Sequence, residues 1–113
     1  MIIANRTLSY RSGASDIAVP VSIHAPVEGD RCWDCRFDIN WPNGKVTQIV
    51  RGLDGVQALY LAMQRIAIEL YGSEYHQAGT LLWQKAGTGY GFPTIKTSYG
   101  DLIGEDRIDQ VPD

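Results

Sequence analysis

Residues 32–41 read Cys32-Trp33-Asp34-Cys35-Arg36-Phe37-Asp38-Ile39-Asn40-Trp41. Trp33, Cys35, Phe37, Ile39 and Trp41 share one parity, and Cys32, Asp34, Arg36, Asp38 and Asn40 share the other. Side chains of a strand point alternately to opposite faces, so this run is a strand with one face on a core and one in water. Pro42-Asn43-Gly44 follows. Asn-Gly between two strand-like runs signals a hairpin, because both residues tolerate positive φ. The chain then returns over residues 45–51, with Val46, Ile49 and Val50 as its apolar content.

Downstream of this hairpin the period changes. Val56, Leu59, Tyr60, Met63, Ile66, Ala67, Leu70 and Tyr71 recur at i, i+3, i+4 and i+7 spacing, which predicts an amphipathic helix over residues 55–71. Asp54 suits its N-cap and Gly72 a left-handed C-cap. Upstream, residues 2–11 predict a first strand. Residues 17–25 predict a second, with Ile17, Val19, Val21, Ile23 and Ala25 on one face. Pro20 cannot donate to a ladder, which predicts that this strand lies at an edge or is bulged there. Residues 80–86, with Leu81, Leu82 and Trp83, predict a last strand before the glycine-rich Gly87 to Pro93. Strands joined by short loops favour a meander. The expected fold is α+β: an antiparallel β-meander of about four to five strands packed against one long amphipathic helix. It occupies residues 1–93, with 94–113 an acidic tail, partly ordered or mobile.

The chain has 113 residues, 44% hydrophobic and 20% charged, with a net charge of −3. One domain of this size buries a core without staples. Asp101, Glu105, Asp106, Asp109 and Asp113 stand against Arg107 alone, so the last stretch carries about −4 and residues 1–100 about +1. Lysine and arginine form no cluster, which argues against nucleic acid and acidic membrane surfaces as partners. Met1 to Arg6 lacks the layout of a signal peptide, and the apolar stretch 56–71 is broken by Gln57, Gln64, Arg65 and Glu69. A cytoplasmic protein with two reduced thiols is expected.

Candidate chemistry is sparse. Cys32-Trp33-Asp34-Cys35 is a C-x-x-C, but a redox pair of this kind needs a helix N-terminus to lower the thiol pKa. On a strand this spacing puts the sulfurs on opposite faces, leaving Cys35 as a packing thiol and Cys32 more exposed. A zinc site needs further ligands. His24 and His76 are far apart in sequence and unpaired, so no metal site is expected. Glu74-Tyr75-His76 offers an acid beside a base without a nucleophile. Gly87-x-Gly-x-Gly lacks the strand and helix context of a nucleotide loop. Asp34 and Asp38 would sit about 13 Å apart on one strand, too far for a paired acid and base, and read as a solvated face with Arg36 and Asn40. No catalytic residue and no cofactor is expected.

Leu61 and Ile68, one heptad apart, point away from the expected core stripe, among Gln57, Gln64 and Arg65. Leu61, Gln64 and Ile68 are therefore the candidate partner-binding residues, with a partner, a second subunit or the acidic tail as the candidate occupant. Trp41, His76, Trp83, Tyr90 and Phe92 form a candidate small-ligand or enzyme pocket near the helix end.

Three stretches carry a resemblance: Trp33 to Ile39, the run Arg51-Gly52-Leu53-Asp54-Gly55-Val56-Gln57-Ala58-Leu59, and Gly89-Tyr90-Gly91-Phe92-Pro93. Over about residues 5–93 the sequence is similar to small bacterial proteins grouped only as a domain of unknown function. The resemblance implies one compact domain and a bacterial source, and it brings no activity or site residue. The leading expectation is a non-catalytic interaction module, immunity- or adaptor-like, that binds a protein partner or a second copy through the outer helix face or a sheet edge. A ligand-binding protein or enzyme, and a redox sensor using Cys32, are the alternatives.

Overall fold

A computed structural model of the chain describes residues 1–94, 103 and 104. The elements run β1 (Ile2–Ser12), β2 (Ser15–His24), β3 (Val27–Glu28), β4 (Trp33–Trp41), β5 (Gly44–Gly52), α1 (Gly55–Tyr71), α2 (Glu74–Gln77) and β6 (Leu81–Leu82). All pairings are antiparallel. β4 is flanked by β5 along its whole length on one side and by β2 and then β3 on the other, while β1 lies beyond β2 and β6 beyond β1. This is the expected α+β meander with a helix packed on it. β3 extends the track of β2 beyond Pro26, and the sequence gives it only two residues. The acidic-tail expectation falls almost wholly outside the described residues. Among those described, no helix is long and apolar enough to cross a membrane.

Alternation in the strands sets the layers. Leu8 opposes Val19, Val21 opposes Ile39, Ile23 opposes Phe37 and Cys35 opposes Val50. All but Val50 are buried, and they form the sheet side of the core. α1 lies across this face and contributes Ala58, Ala62, Ile66, Ala67 and Leu70. Burying Ile66 and Leu70 contributes about 1.5–3 kcal/mol each. The helix starts where expected. Asp54 Oδ1 accepts the Gln57 N–H at 2.8 Å, and Gln57 Oε1 accepts the Leu53 N–H at 2.7 Å, a reciprocal cap on otherwise orphaned donors.

The buried stripe is rotated from the expected one. Val56 and Tyr60, placed in the stripe by periodicity, are 79% and 48% exposed. Ala58 and Ala62 take the central positions instead. The cause is close approach: a Cβ at Gly52 would fall within 2.8 Å of Ala58 Cα. Only small residues let the end of β5 and the first turn of α1 meet, so the helix presents its alanines, not its largest apolar side chains.

Four further expectations are corrected. β2 is an interior strand, and Pro20 is tolerated because pairing with β4 spans only Val21 to Ile23. The hairpin turn is Pro42-Asn43, with Gly44 already paired to Trp41. Gly72 keeps right-handed geometry, because Ser73 immediately caps α2 and the backbone need not reverse. The last strand is two residues, not seven, since Gln84 adopts φ +63° and Lys85 N–H bonds back to the Trp83 carbonyl at 2.7 Å.

Gly52→Ala should lower stability by about 1–3 kcal/mol through overpacking against Ala58. Urea unfolding followed by circular dichroism measures it; an unchanged midpoint would mean that the helix is not seated through this contact.

Candidate functional site

A concavity lies between the flank of α1 and β5. Its volume is about 430 Å³, and Gln48, Ile49, Val50, Arg51, Leu61, Gln64, Arg65 and Ile68 line it. All three candidate partner-binding residues, Leu61, Gln64 and Ile68, are here. They face neither open solvent nor the core but the edge strand. Leu61 is half-buried, and Ile68 is 41% exposed. On the strand side, Val50 shares the core face, while Ile49 opposes Arg36 on the other face and is 56% exposed. Arg65 Nε donates to Gln48 Oε1 at 3.1 Å and so ties helix to strand across the groove. Among the described residues the lining holds two arginines and no carboxylate. Arg51 reaches Asp34 at 3.3 Å, and Arg65 reaches Glu69 at 3.9 Å. Both arginines are largely exposed, and such surface pairs hold their partners weakly.

The aromatic candidates separate into three groups. Trp41 stacks on Tyr75, with centroids 5.0 Å apart, and Tyr10 meets Tyr75 edge-on. Tyr71, His76 and Tyr90 pack mutually edge to face, and His76 Nδ1 lies 2.6 Å from the Tyr90 hydroxyl. Trp83 and Phe92 belong elsewhere. They hold the Arg6 guanidinium between them, at 4.0 and 4.9 Å, while Arg6 Nη1 donates to the Tyr90 carbonyl. Gly91 lies beneath Trp83, where any Cβ would collide with it. His76 and Tyr90 thus come together, whereas Trp41 and the Trp83–Phe92 pair contribute to separate contacts. In each group rings pack against neighbouring side chains.

The open side of the sheet holds an arrangement that sequence reasoning missed. Asp38, expected in a solvated row, is only 7% exposed. Thr47 Oγ1 donates to its Oδ1 at 2.6 Å, Arg36 Nε to Oδ1 at 3.2 Å, and His24 Nε2 lies 2.8 Å from Oδ2. A carboxylate accepts only, so His24 carries its proton on Nε2. His24 and His76 are both engaged, each with a different partner. Burial would raise the Asp38 pKa, but the hydrogen bonds from Thr47, His24 and Arg36 outweigh it and hold it at about 2. Register supplied the signal, because Thr47 directly opposes Asp38 and His24 lies two residues beyond its partner Ser22. That pairing is not visible in a single strand.

Cys35 is fully buried, its thiol donates to the His24 carbonyl at 3.4 Å, and burial pushes its pKa up. Cys32 is half-buried, ahead of β4, with Sγ 3.7 Å from Asp34 Oδ1. Among the described residues no group of three potential ligands is placed to hold a metal ion.

The lowered Asp38 pKa sets the sign of an acid effect. Its stabilisation is complete above the unfolded carboxylate value near 4 and is lost as pH falls through about 2. The shift corresponds to about 2 kcal/mol. Urea titrations should show this component in the parent protein and not in Asp38→Asn; equal acid slopes in the two would contradict it.

No curated protein and no solved structure matches the chain. A family model described as a domain of unknown function, DUF6968, matches residues 4–94. That match takes in all the described elements except the first two residues of β1, together with all the groove residues, and the chain therefore belongs to the DUF6968 family.

Proposed function

We propose that this protein is a non-catalytic protein-interaction module of the bacterial cytoplasm, and that it docks a protein partner on the α1/β5 face. One observation carries the proposal. Leu61 and Ile68, apolar residues that the core does not need, stand over an edge strand in a groove of about 430 Å³. An apolar floor with a polar rim of Gln48, Gln64, Arg51 and Arg65 has the make-up of a docking surface. The cytoplasmic assignment is supported by two free cysteines, which suit a reducing compartment. The bacterial source rests on the sequence resemblance.

Capture of the tagged protein from its host, compared across variants, tests this. Leu61→Glu with Ile68→Glu should remove a stoichiometric partner, because it buries two carboxylates in the contact. Val56→Glu, at an exposed helix position outside the groove, should leave it in place. Circular dichroism establishes that both variants fold. Retention of the same partner by the double variant would reject this face.

A further inference from the structure

Beyond the docking face itself, the groove has features that specify its occupant. β5 is nine residues long, and among the described residues β4 is its only strand neighbour. Every second residue of an edge strand turns its N–H and C=O groups away from the sheet. A strand added there would lie about 4.8 Å from β5, in the plane of the sheet, and send alternate side chains under the flank of α1. Leu61 and Ile68 are separated by about 10 Å along the helix axis. Successive inward side chains of an added strand are spaced by about 6.6 Å. Two neighbouring inward apolar side chains therefore fit within the stretch that Leu61 and Ile68 cover.

Charge selects among possible strands. Among the described residues the groove presents Arg65 on the α1 side and Arg51 on the other face of β5, with no carboxylate in its lining. A second copy of this chain, added antiparallel through its own β5 about Gln48, would set Arg51 opposite the second copy's Lys45, and opposed like charges destabilise paired strands. A segment carrying carboxylates between its apolar residues would instead turn them to the face of Arg51, where they replace its weak pair to Asp34. We propose that the α1/β5 groove takes an extended segment of a partner protein, alternating apolar and acidic residues, as an added strand on β5. The inference rests on the docking reading given above. Backbone hydrogen bonds supply the attachment, Leu61 and Ile68 the apolar contact on the α1 side, and Arg51 the choice of charge on the other face.

The test uses the full chain and a fluorescein-labelled peptide of alternating valine and aspartate. Binding is read by anisotropy, and exchange of the β5 amides by NMR. Saturable binding is expected, weakened about tenfold or more when the aspartates are exchanged for lysine. Arg51→Glu, at an exposed strand position on the face that receives the aspartates, should reverse that preference. Peptide should also slow exchange at alternate β5 amides, which docking on the helix alone would not do. Equal binding of the lysine peptide overturns the proposal, as does binding that leaves the β5 amides unprotected. Absence of saturable binding at about millimolar peptide overturns it too, while the capture experiment with Leu61→Glu and Ile68→Glu still decides the docking face by itself. Protection of those amides by self-association without peptide would assign the edge to a second copy and equally overturn it.

Discussion

The seating of α1 on the sheet depends on the contact between Gly52 and Ala58. At this point the backbone of β5 and the first helical turn approach so closely that a single methyl group would not fit. The helix therefore buries its alanines, and Ile66 and Leu70 reach the core further along. Two consequences follow from this rotation. Val56 and Tyr60 swing out to solvent, and Leu61 and Ile68 come down beside β5 rather than standing free. The groove is a product of how the core packs, since the side chains that line it are those left over when the small residues take the interior.

The other side of the sheet is organised by a different constraint. A carboxylate withdrawn from water requires donors, and Asp38 obtains them from three strands at once: His24 on β2, Arg36 on its own strand β4, and Thr47 on β5. These bonds link neighbouring strands across the solvent-facing surface and fix their register, because a shift of one residue would send Thr47 to the opposite face. The sheet is thus held from both sides, by apolar packing under α1 and by a charged network above. β5 takes part in both, and among the described residues no strand pairs with its outer edge.

Strand existence and helix extent were legible because they rest on local patterns. The parity of residues 33–41 and the 3.6-residue recurrence from Asp54 onward both survive in the structure. Leu61, Gln64 and Ile68 were legible as a group for the same reason. The residues that escaped depend on pairings that no single segment contains. His24 and Asp38 are fourteen residues apart and meet only through the β2–β4 register. The helix stripe was misjudged because periodicity ranks residues by hydrophobicity, whereas the close approach at Gly52 ranks them by size. Trp41 and Trp83 look alike in sequence, yet one stacks on Tyr75 and the other on Arg6. The short β6 was overestimated because Leu82 and Trp83 are good strand formers, while the tight turn at Gln84 is set by its backbone.

The central claim is that partners meet this domain on the α1/β5 face. A photo-crosslinking residue in place of Gln64, at the middle of the groove, tests it most directly in the living host. The account predicts a discrete crosslinked protein from that position and none from the same residue placed at Val56, on the far exposed side of α1. Crosslinking from Val56 but not from Gln64 would contradict it and move the docking surface away from β5.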